Sequence, residues 1–432
     1  LPIAAVAVIS LILFVNAFMT SVILPFIAFM VSDFGVAENP DEVSRWSGWL
    51  MSSYMFGQML ASYFWGSLSD RIGRRPVILF GLSACSITCL LFGFSTSFWM
   101  AIGLRFLNGA VNGIVSVTKT YLSEITDDTN VGQGFSLLGL NRALGMIVGP
   151  AVGGLLCLPA EKYPAFFPKG SFFDRWPYAL PTTICFFISV AGTVAAYYVL
   201  EETHSVGPLS RTSTQNTDGQ ANLNIHDDDD DDATALPAPS TPQRLEAGLA
   251  APPTGLMALL SDSSVLLTIA CYALVGMNYV QYDELIALWS RLQPDEGGPG
   301  FTTSEIGMLY SVGGIGLFLY QIFCFAPVER RLGVLTAFRM GVAATIPALL
   351  LLPYCGLLRP TGGVLQWTAI SLCILLRMVM GLQAMTCTFI MLANATTPAT
   401  RGAANGLGQM TAAMGRMIGP IVVGSQLSWG LE

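Results

Sequence analysis

The chain has 432 residues, of which 53% are hydrophobic and only 11% charged, against about a quarter charged in an ordinary soluble domain. Its formal charge of −8 is concentrated in one stretch: residues 201–262 carry eleven acids, six of them the run Asp227–Asp232, against Arg211 and Arg244, and the remainder is close to neutral. These values exclude a soluble enzyme and a nucleic-acid-binding protein, and predict an all-α polytopic membrane protein.

Taken in chain order, apolar runs long enough to cross a bilayer at about 1.5 Å per residue fall at 3–30, 46–66, 76–94, 98–122, 132–157 and 178–200. Leu1 already stands inside the first run, which reads as a spanning helix and not as a signal peptide. Residues 201–262, rich in Asp, Ser, Thr, Pro and Ala, have no apolar period and cannot bury enough surface to fold, so a disordered linker is expected there. Its six-Asp run reads as a solvated tract. Five further runs follow at 264–290, 304–326, 334–353, 364–392 and 403–427. The expected division is an N-terminal six-helix bundle (1–200), an acidic linker (201–262) and a C-terminal bundle of five helices (263–432).

An internal repeat accounts for the odd total of eleven. Arg105-Phe-Leu-Asn-Gly109 in the fourth run matches Arg377-Met-Val-Met-Gly381 in the tenth. Gly145-x-x-x-Gly149-Pro150 in the fifth matches Gly415-x-x-x-Gly419-Pro420 in the eleventh, and Arg71-Ile-Gly73 is echoed by Arg331-Leu-Gly333, at offsets of 260–272 residues. Two parallel copies of six helices would put a twelfth run near residue 448, past Glu432, so the natural protein is expected to continue.

Between the second and third runs lies Gly66-Ser-Leu-Ser-Asp70-Arg71-Ile-Gly73-Arg74-Arg75. It reads as a hairpin loop in which Gly66 and Gly73 allow tight turns. The arginines Arg71, Arg74, Arg75, Arg330, Arg331 and Arg401 fall on one side with the linker. The acidic loop 31–45 falls on the other, with 158–177 and 291–303, which places the N-terminus and linker in the cytoplasm.

Ionisable groups at membrane depth are costly and are the default functional candidates. The expected proton and substrate path comprises Asp33, Arg105, Asn108, Arg142, Asp283, Glu284, Arg377 and Arg416, with hinges at Gly145, Gly149, Pro150, Gly419 and Pro420. Lys119, near a helix end, reads as a snorkelling residue. Four intramembrane arginines against two clear acids favour an anionic or zwitterionic small-molecule substrate. The two histidines, His204 and His226, both lie in the linker and no Cys-x-x-Cys pair occurs, so no metal site and no cofactor are expected. Neither a nucleophile triad nor a phosphate-binding loop is present, which disfavours a membrane enzyme and an ATP-driven pump.

The loop at 66–75 resembles the signature between helices 2 and 3 of the major facilitator superfamily. The stretches Trp65–Pro76, Phe94–Ala101, Pro159–Pro164, Trp176–Pro181 and Arg401–Gly406, with Asp33–Ala37, are similar to the zinc-induced facilitator-like transporters of that superfamily. The resemblance implies the major facilitator fold and a proton-coupled carrier grouped with the drug:proton antiporters, which is associated with metal chelators, potassium and auxin. It further implies that Gly66, Asp70, Arg71, Gly73, Arg74 and Arg75 form a gating loop. Arg105 would be the proton-coupling arginine, with Asp33 and Asp283 as its acidic partners, and Gly149-Pro150 an antiporter hinge. A monomer in the plasma or vacuolar membrane, partnered by the bilayer, protons and a small solute, is expected. A non-transporting receptor on the same fold is the rival reading.

Overall fold

The computed structural model describes residues 3–39, 42–125, 131–202, 262–356, 358, 363–396 and 401–431, and for some of these, Asp70 and Arg401 among them, the backbone alone. The expected linker lies, from 203 to 261, outside the described residues. All the regular structure described is helical, as hydrocarbon requires: an unpaired N–H or C=O there costs several kcal/mol, and a helix pairs them within one segment.

The first set of helices comprises α1 (Ile3–Ser21), α2 (Ile27–Asp33), α3 (Glu42–Ile72), α4 (Arg74–Gly93), α5 (Phe98–Val111), α6 (Ile114–Ile125) and α7 (Val131–Leu156). Two single turns, α8 (Pro159–Lys162) and α9 (Phe172–Arg175), then lead to α10 (Ala179–Val199). The second set comprises α11 (Ser263–Arg291), α12 (Thr303–Phe323), α13 (Phe325–Leu332), α14 (Val334–Gly356), α15 (Gly363–Asn394) and α16 (Arg401–Leu431). Among the described residues, nine helical stretches are long and apolar enough to cross a membrane. The 31-residue helices α3 and α16 are not among them. Both are sandwiched between other helices, α3 between α5 and α16, and α16 between α3 and α11, so less of their surface has to suit lipid.

All eleven apolar runs lie on these helices, but three expected single helices are broken. After Ser21 the chain turns through Pro25, which has no N–H to give and whose ring crowds the carbonyl four residues back. The Thr20 and Ser21 hydroxyls turn back onto the carbonyls of Ala17 and its neighbours. The fourth run breaks at Asn112-Gly113, where the Trp65 ring occupies the space any Cβ at 113 would need. The eighth breaks at Cys324 and continues as α13, which carries Arg330 and Arg331.

The expected ten-residue hairpin is also corrected. Helix α3 continues through Gly66, around which there is open space, to Ile72, and Gly73 alone separates it from α4. Gly73 has φ +99°, a backbone conformation L side chains rarely adopt, and a Cβ there would collide with the Glu202 carboxylate.

The two sets meet along α7–α12 and α3–α16, and these contacts are copies of one another. Pro150 and Pro420 each stand inside a helix. A Cβ at Gly307 would overlap the Pro150 carbonyl oxygen, and a Cβ at Gly48 would overlap that of Pro420. Gly145, Gly149 and Gly153 lie against Ala17, Ser21 and Val22 of the first set, while Gly415 and Gly419 lie against Ala273 and Met277 of the second. The repeat seen in the sequence is thus a repeat of packing, with small residues allowing close backbone approach.

At Gly307 no room exists for a side chain, since Gly154 Cα would lie 3.0 Å from an added Cβ. Gly307→Val is expected to cost about 1–3 kcal/mol through overpacking. Thermal unfolding of the purified chain should show a melting temperature several degrees lower, with a smaller loss for Gly307→Ala.

Candidate functional site

The helices bring a cluster of charged side chains to the centre of the bundle. Arg377 on α15 is 1% exposed; its Nη2 donates to the Asn278 backbone carbonyl at 2.8 Å and to Asn278 Oδ1 at 2.7 Å. Its guanidinium lies 4.6 Å from the Tyr282 ring centre and 5.8 Å from that of Tyr279. Gly381, one turn on, leaves room for it: an added Cβ would strike Arg377 Nη1 and displace the guanidinium.

Arg105 on α5 is 4% exposed and held differently. Its guanidinium lies 4.6 Å from the Tyr54 ring centre and 5.8 Å from that of Phe92, with Nη2 4.0 Å from Met51 Sδ. Its Nε makes no hydrogen bond, and no ion pair to it occurs among the described residues. A polar chain extends from Tyr54: Asn112 Nδ2 donates to Tyr54 Oη at 2.6 Å and to Asn16 Oδ1 at 2.8 Å. The break between α5 and α6 places Asn112 there.

Arg142 on α7 reaches across to the second set, with Nη2 3.5 Å from Asp283 Oδ2 and Nε donating to Tyr279 Oη at 3.4 Å. Its guanidinium lies 4.8 Å from the Tyr279 ring centre. Asp283 is also fixed through its backbone, because Tyr310 Oη donates to its carbonyl oxygen. The next residue, Glu284, is 0% exposed, and neither carboxylate oxygen has a hydrogen-bond partner. The charge of Arg105 nevertheless acts on it across the boundary between the two sets. Arg416 on α16 lies beside Tyr272, and its charge acts on Tyr54 and Lys119. Lys119 does not snorkel outward: its ammonium lies 4.9 Å from the ring centre of Phe389 in the second set. The centre therefore gathers Arg105, Arg142 and Arg377 around Asp283 and Glu284, with an aromatic ring against each of the three arginines, while Arg416 and Lys119 act on one another.

Two expected members of the path lie elsewhere. Asp33 is at the end of the bundle that carries the acidic loop, where it accepts a hydrogen bond from Tyr178 Oη. Burial, and then the Asp33 carboxylate, push the Tyr178 phenol far above its usual pKa. Asp33 is thus no partner of Arg105, and Asp283 is taken by Arg142. Asn108 faces α4, donating to the Cys85 carbonyl at 3.0 Å and to Thr88 Oγ1 at 2.7 Å, and so fastens α5 to α4.

At the opposite, arginine-bearing end, the Asp70 side chain is outside the described set. The carboxylate at the start of α4 belongs to Glu202, which accepts from the Arg74 N–H at 2.8 Å and the Arg75 N–H at 3.1 Å. Arg75 also donates to the Tyr197 carbonyl at 2.6 Å, and Arg74 Nη1 donates to Ser69 Oγ at 3.2 Å. Arg71 is exposed. A carboxylate at a helix N-terminus meets unpaired N–H groups and the positive end of the dipole. Sequence reasoning assigned Glu202 to the linker; its position directly after an apolar run was the available signal.

The two ends differ in how the sets meet. Near the acidic loop, Arg291 donates to Ser32 Oγ at 3.0 Å, Lys162 Nζ to Thr303 Oγ1 at 2.6 Å and Ser304 Oγ to the Gly154 carbonyl at 3.1 Å. Ser311 Oγ donates to the Ile147 carbonyl and Ser52 Oγ to the Met417 carbonyl, both at 2.7 Å. The described contacts nearer the arginine end are made by side chains, Lys119 on Phe389 and Gln321 against Gly139. No group of three His, Cys, Asp or Glu able to hold a metal occurs among the described residues.

A bundle of apolar helices with a charged centre and a packing repeat is the architecture of a polytopic membrane transporter. The sequence profile of the Major Facilitator Superfamily matches residues 9–428, and the chain belongs to that superfamily. It is 32% identical over 409 residues to a probable peptide/nitrate transporter of Arabidopsis thaliana, covering 95% of this chain and 80% of that protein. It is also 32% identical over 408 residues to ZINC INDUCED FACILITATOR 1 of the same plant, covering 94% and 80%, so the resemblance noted from the loop motifs extends along the chain. Among solved structures, that of the human organic anion transporter MFSD10 shares the fold with a TM-score of 0.64 at 18% identity, covering 99% of this chain and 94% of that one.

Because the Arg142–Asp283 pair crosses between the two sets and Arg142 is partly exposed, its contribution is modest. A double-mutant cycle on Arg142→Gln and Asp283→Asn, read by thermal unfolding, is expected to give a coupling of about 1 kcal/mol. A coupling near zero would show the two groups to be independent.

Proposed function

We propose that the chain is a secondary active transporter that exchanges protons for a small anionic or zwitterionic organic solute, free or as a metal chelate. The observation that carries this reading is the central cluster: three arginines around two acids, with one acid bridging the helix sets and the other buried without a hydrogen bond. The excess of cations favours a substrate with an acidic group, and the rings beside them suit an organic one. The name of the first relative given above pairs peptide, a zwitterion, with nitrate, an anion, which are the two charge types such a cluster attracts.

Residues 1–200 and 263–432 act as two bodies joined by 201–262, and they rock about the α7–α12 and α3–α16 contacts. The tight contacts near the acidic loop correspond to a state shut on the non-cytoplasmic side. The arginine-bearing end, with the N-terminus and the linker, faces the cytoplasm of a plasma-membrane or vacuolar protein working as a monomer. The loop Gly66–Arg75 gates that end, where Glu202 ties the start of α4 to the end of α10 within the first body. Within this cycle Arg105 holds position through aromatic faces and one sulfur contact, so its hold changes with the charge of the nearby acid.

The test is flux in proteoliposomes of the full chain, screened against organic anions, metal chelates and drugs with an imposed pH gradient. Gradient-driven flux of at least one anionic or zwitterionic solute is expected, whereas binding without flux would favour a receptor. Arg105→Ala is expected to reduce driven flux at least roughly tenfold in folded protein, and Arg105→Lys, which keeps the charge without the planar fork, to retain part of it. Folded Arg105→Ala protein whose flux still follows the gradient would remove Arg105 from the mechanism.

A further inference from the structure

Resting on the proton-coupled reading, we infer that Glu284 is the group that carries the proton, with Arg105 as its counter-ion, while Asp283 serves as the tether between the two bodies. The two carboxylates are adjacent in sequence but placed in opposite circumstances. Asp283 is met by Arg142 at 3.5 Å, and its backbone carbonyl is held by Tyr310 Oη. Glu284 is fully buried with both oxygens unpartnered. An ionised carboxylate in that position would have neither water nor a donor, so the closed arrangement is compatible only with the neutral acid.

The groups that face Glu284 define what happens when the proton leaves. From α5 comes the charge of Arg105, and from α12 the Tyr310 phenol. Asp283 is its neighbour on α11. Arg142 on α7 and Arg377 on α15 act on Asp283. Among the described residues, α2, α3 and α16, which also pack on α11, place no further charge on Glu284. Arg105 is itself buried with its Nε unpaired and, among the described residues, with no ion pair, so it is the cation left to answer a charge on Glu284. Ionisation of Glu284 has two outlets: Arg105 approaches it, or the end near the acidic loop opens and hydrates it. The second loosens the closed contacts at Gly154–Gly307 and Lys162–Thr303. The sign follows directly. A carboxyl that is neutral in the closed state and ionised in the open one stabilises closure as pH falls and releases it as pH rises.

The experiment needs no substrate. Hydrogen–deuterium exchange of the full chain in lipid nanodiscs, corrected for the intrinsic pH effect, is followed in peptides covering 147–162 and 301–311 from about pH 5 to about pH 8. The wild-type chain is expected to show more uptake in these peptides at the higher pH. Glu284→Gln, a shape-matched mimic of the neutral acid, is expected to lose that difference and stay protected throughout, and Glu284→Met serves in its place if Gln is not tolerated. Glu284→Asp and Asp283→Asn are each expected to keep a pH-dependent difference, the former with a shifted midpoint. A response in Glu284→Gln or Glu284→Met equal to that of the wild type, or loss of the response in Asp283→Asn alone, would overturn the assignment and leave proton coupling standing. A wild-type chain indifferent to pH would overturn both.

Discussion

A guanidinium buried in a helix bundle has lost its water, and something in the protein has to replace it. The centre of this fold is built around that requirement, met in three ways. Arg377 has full replacement, with two oxygens of Asn278 and two tyrosine faces, and the glycine one turn along leaves it room. Arg142 has a carboxylate across the boundary. Arg105 has ring faces and a sulfur. Charged hydrogen bonds contribute about 1.5–3 kcal/mol each and a desolvated cation–ring contact about 2, so the three are held with decreasing redundancy as the list of partners shortens. Arg105 and Arg377 occupy equivalent repeat positions, yet only Arg377 is locked. That asymmetry gives one copy to architecture and leaves the other free to respond to a neighbouring charge.

The same contrast between fixed and movable parts appears in the packing. Glycines face helix backbones within each set and also where the sets meet, and the carbonyls of Pro150 and Pro420 press on Gly307 and Gly48 in copies of one contact. Because these contacts are backbone against backbone, they have few intermediate positions: they are made or separated. Hydrogen bonds such as Lys162 to Thr303 and Ser304 to Gly154 depend on that closeness and break with it. On the proposed reading, such a bundle would convert a charge change at the centre, where Glu284 is fully buried, into opening at one end.

How much of this was legible in the sequence follows from the range of the interactions. The spanning helices could be read because hydrocarbon imposes length and apolarity locally, and the repeat because glycine and proline positions recur at a constant offset. The breaks at Pro25, Asn112-Gly113 and Cys324 were not read: the second depends on Trp65, Tyr54 and Asn16, far away in the chain. The arginines of the centre were singled out from the sequence, but their partners were not. Asp33, expected beside Arg105, is held by Tyr178 at the end of the bundle, and Asn108, expected on the path, binds α4. Gly66 looked like a turn residue because it precedes a charged stretch; α3 simply continues as a helix to Ile72. Glu202 was missed because it begins a stretch that otherwise has the composition of a linker.

The central claim is that substrate and proton compete through one charged cluster, and the direct measurement is proton release on binding. The purified chain in weakly buffered detergent solution near neutral pH is titrated with a solute identified by flux, while a pH electrode and a calorimeter record the same addition. The account predicts that binding heat is accompanied by release of about one proton per zwitterionic solute bound, because the solute's cationic group, entering beside Asp283 and Glu284, competes with the proton for those carboxylates. Binding heat with no change in proton count between about pH 6 and pH 8 would contradict it.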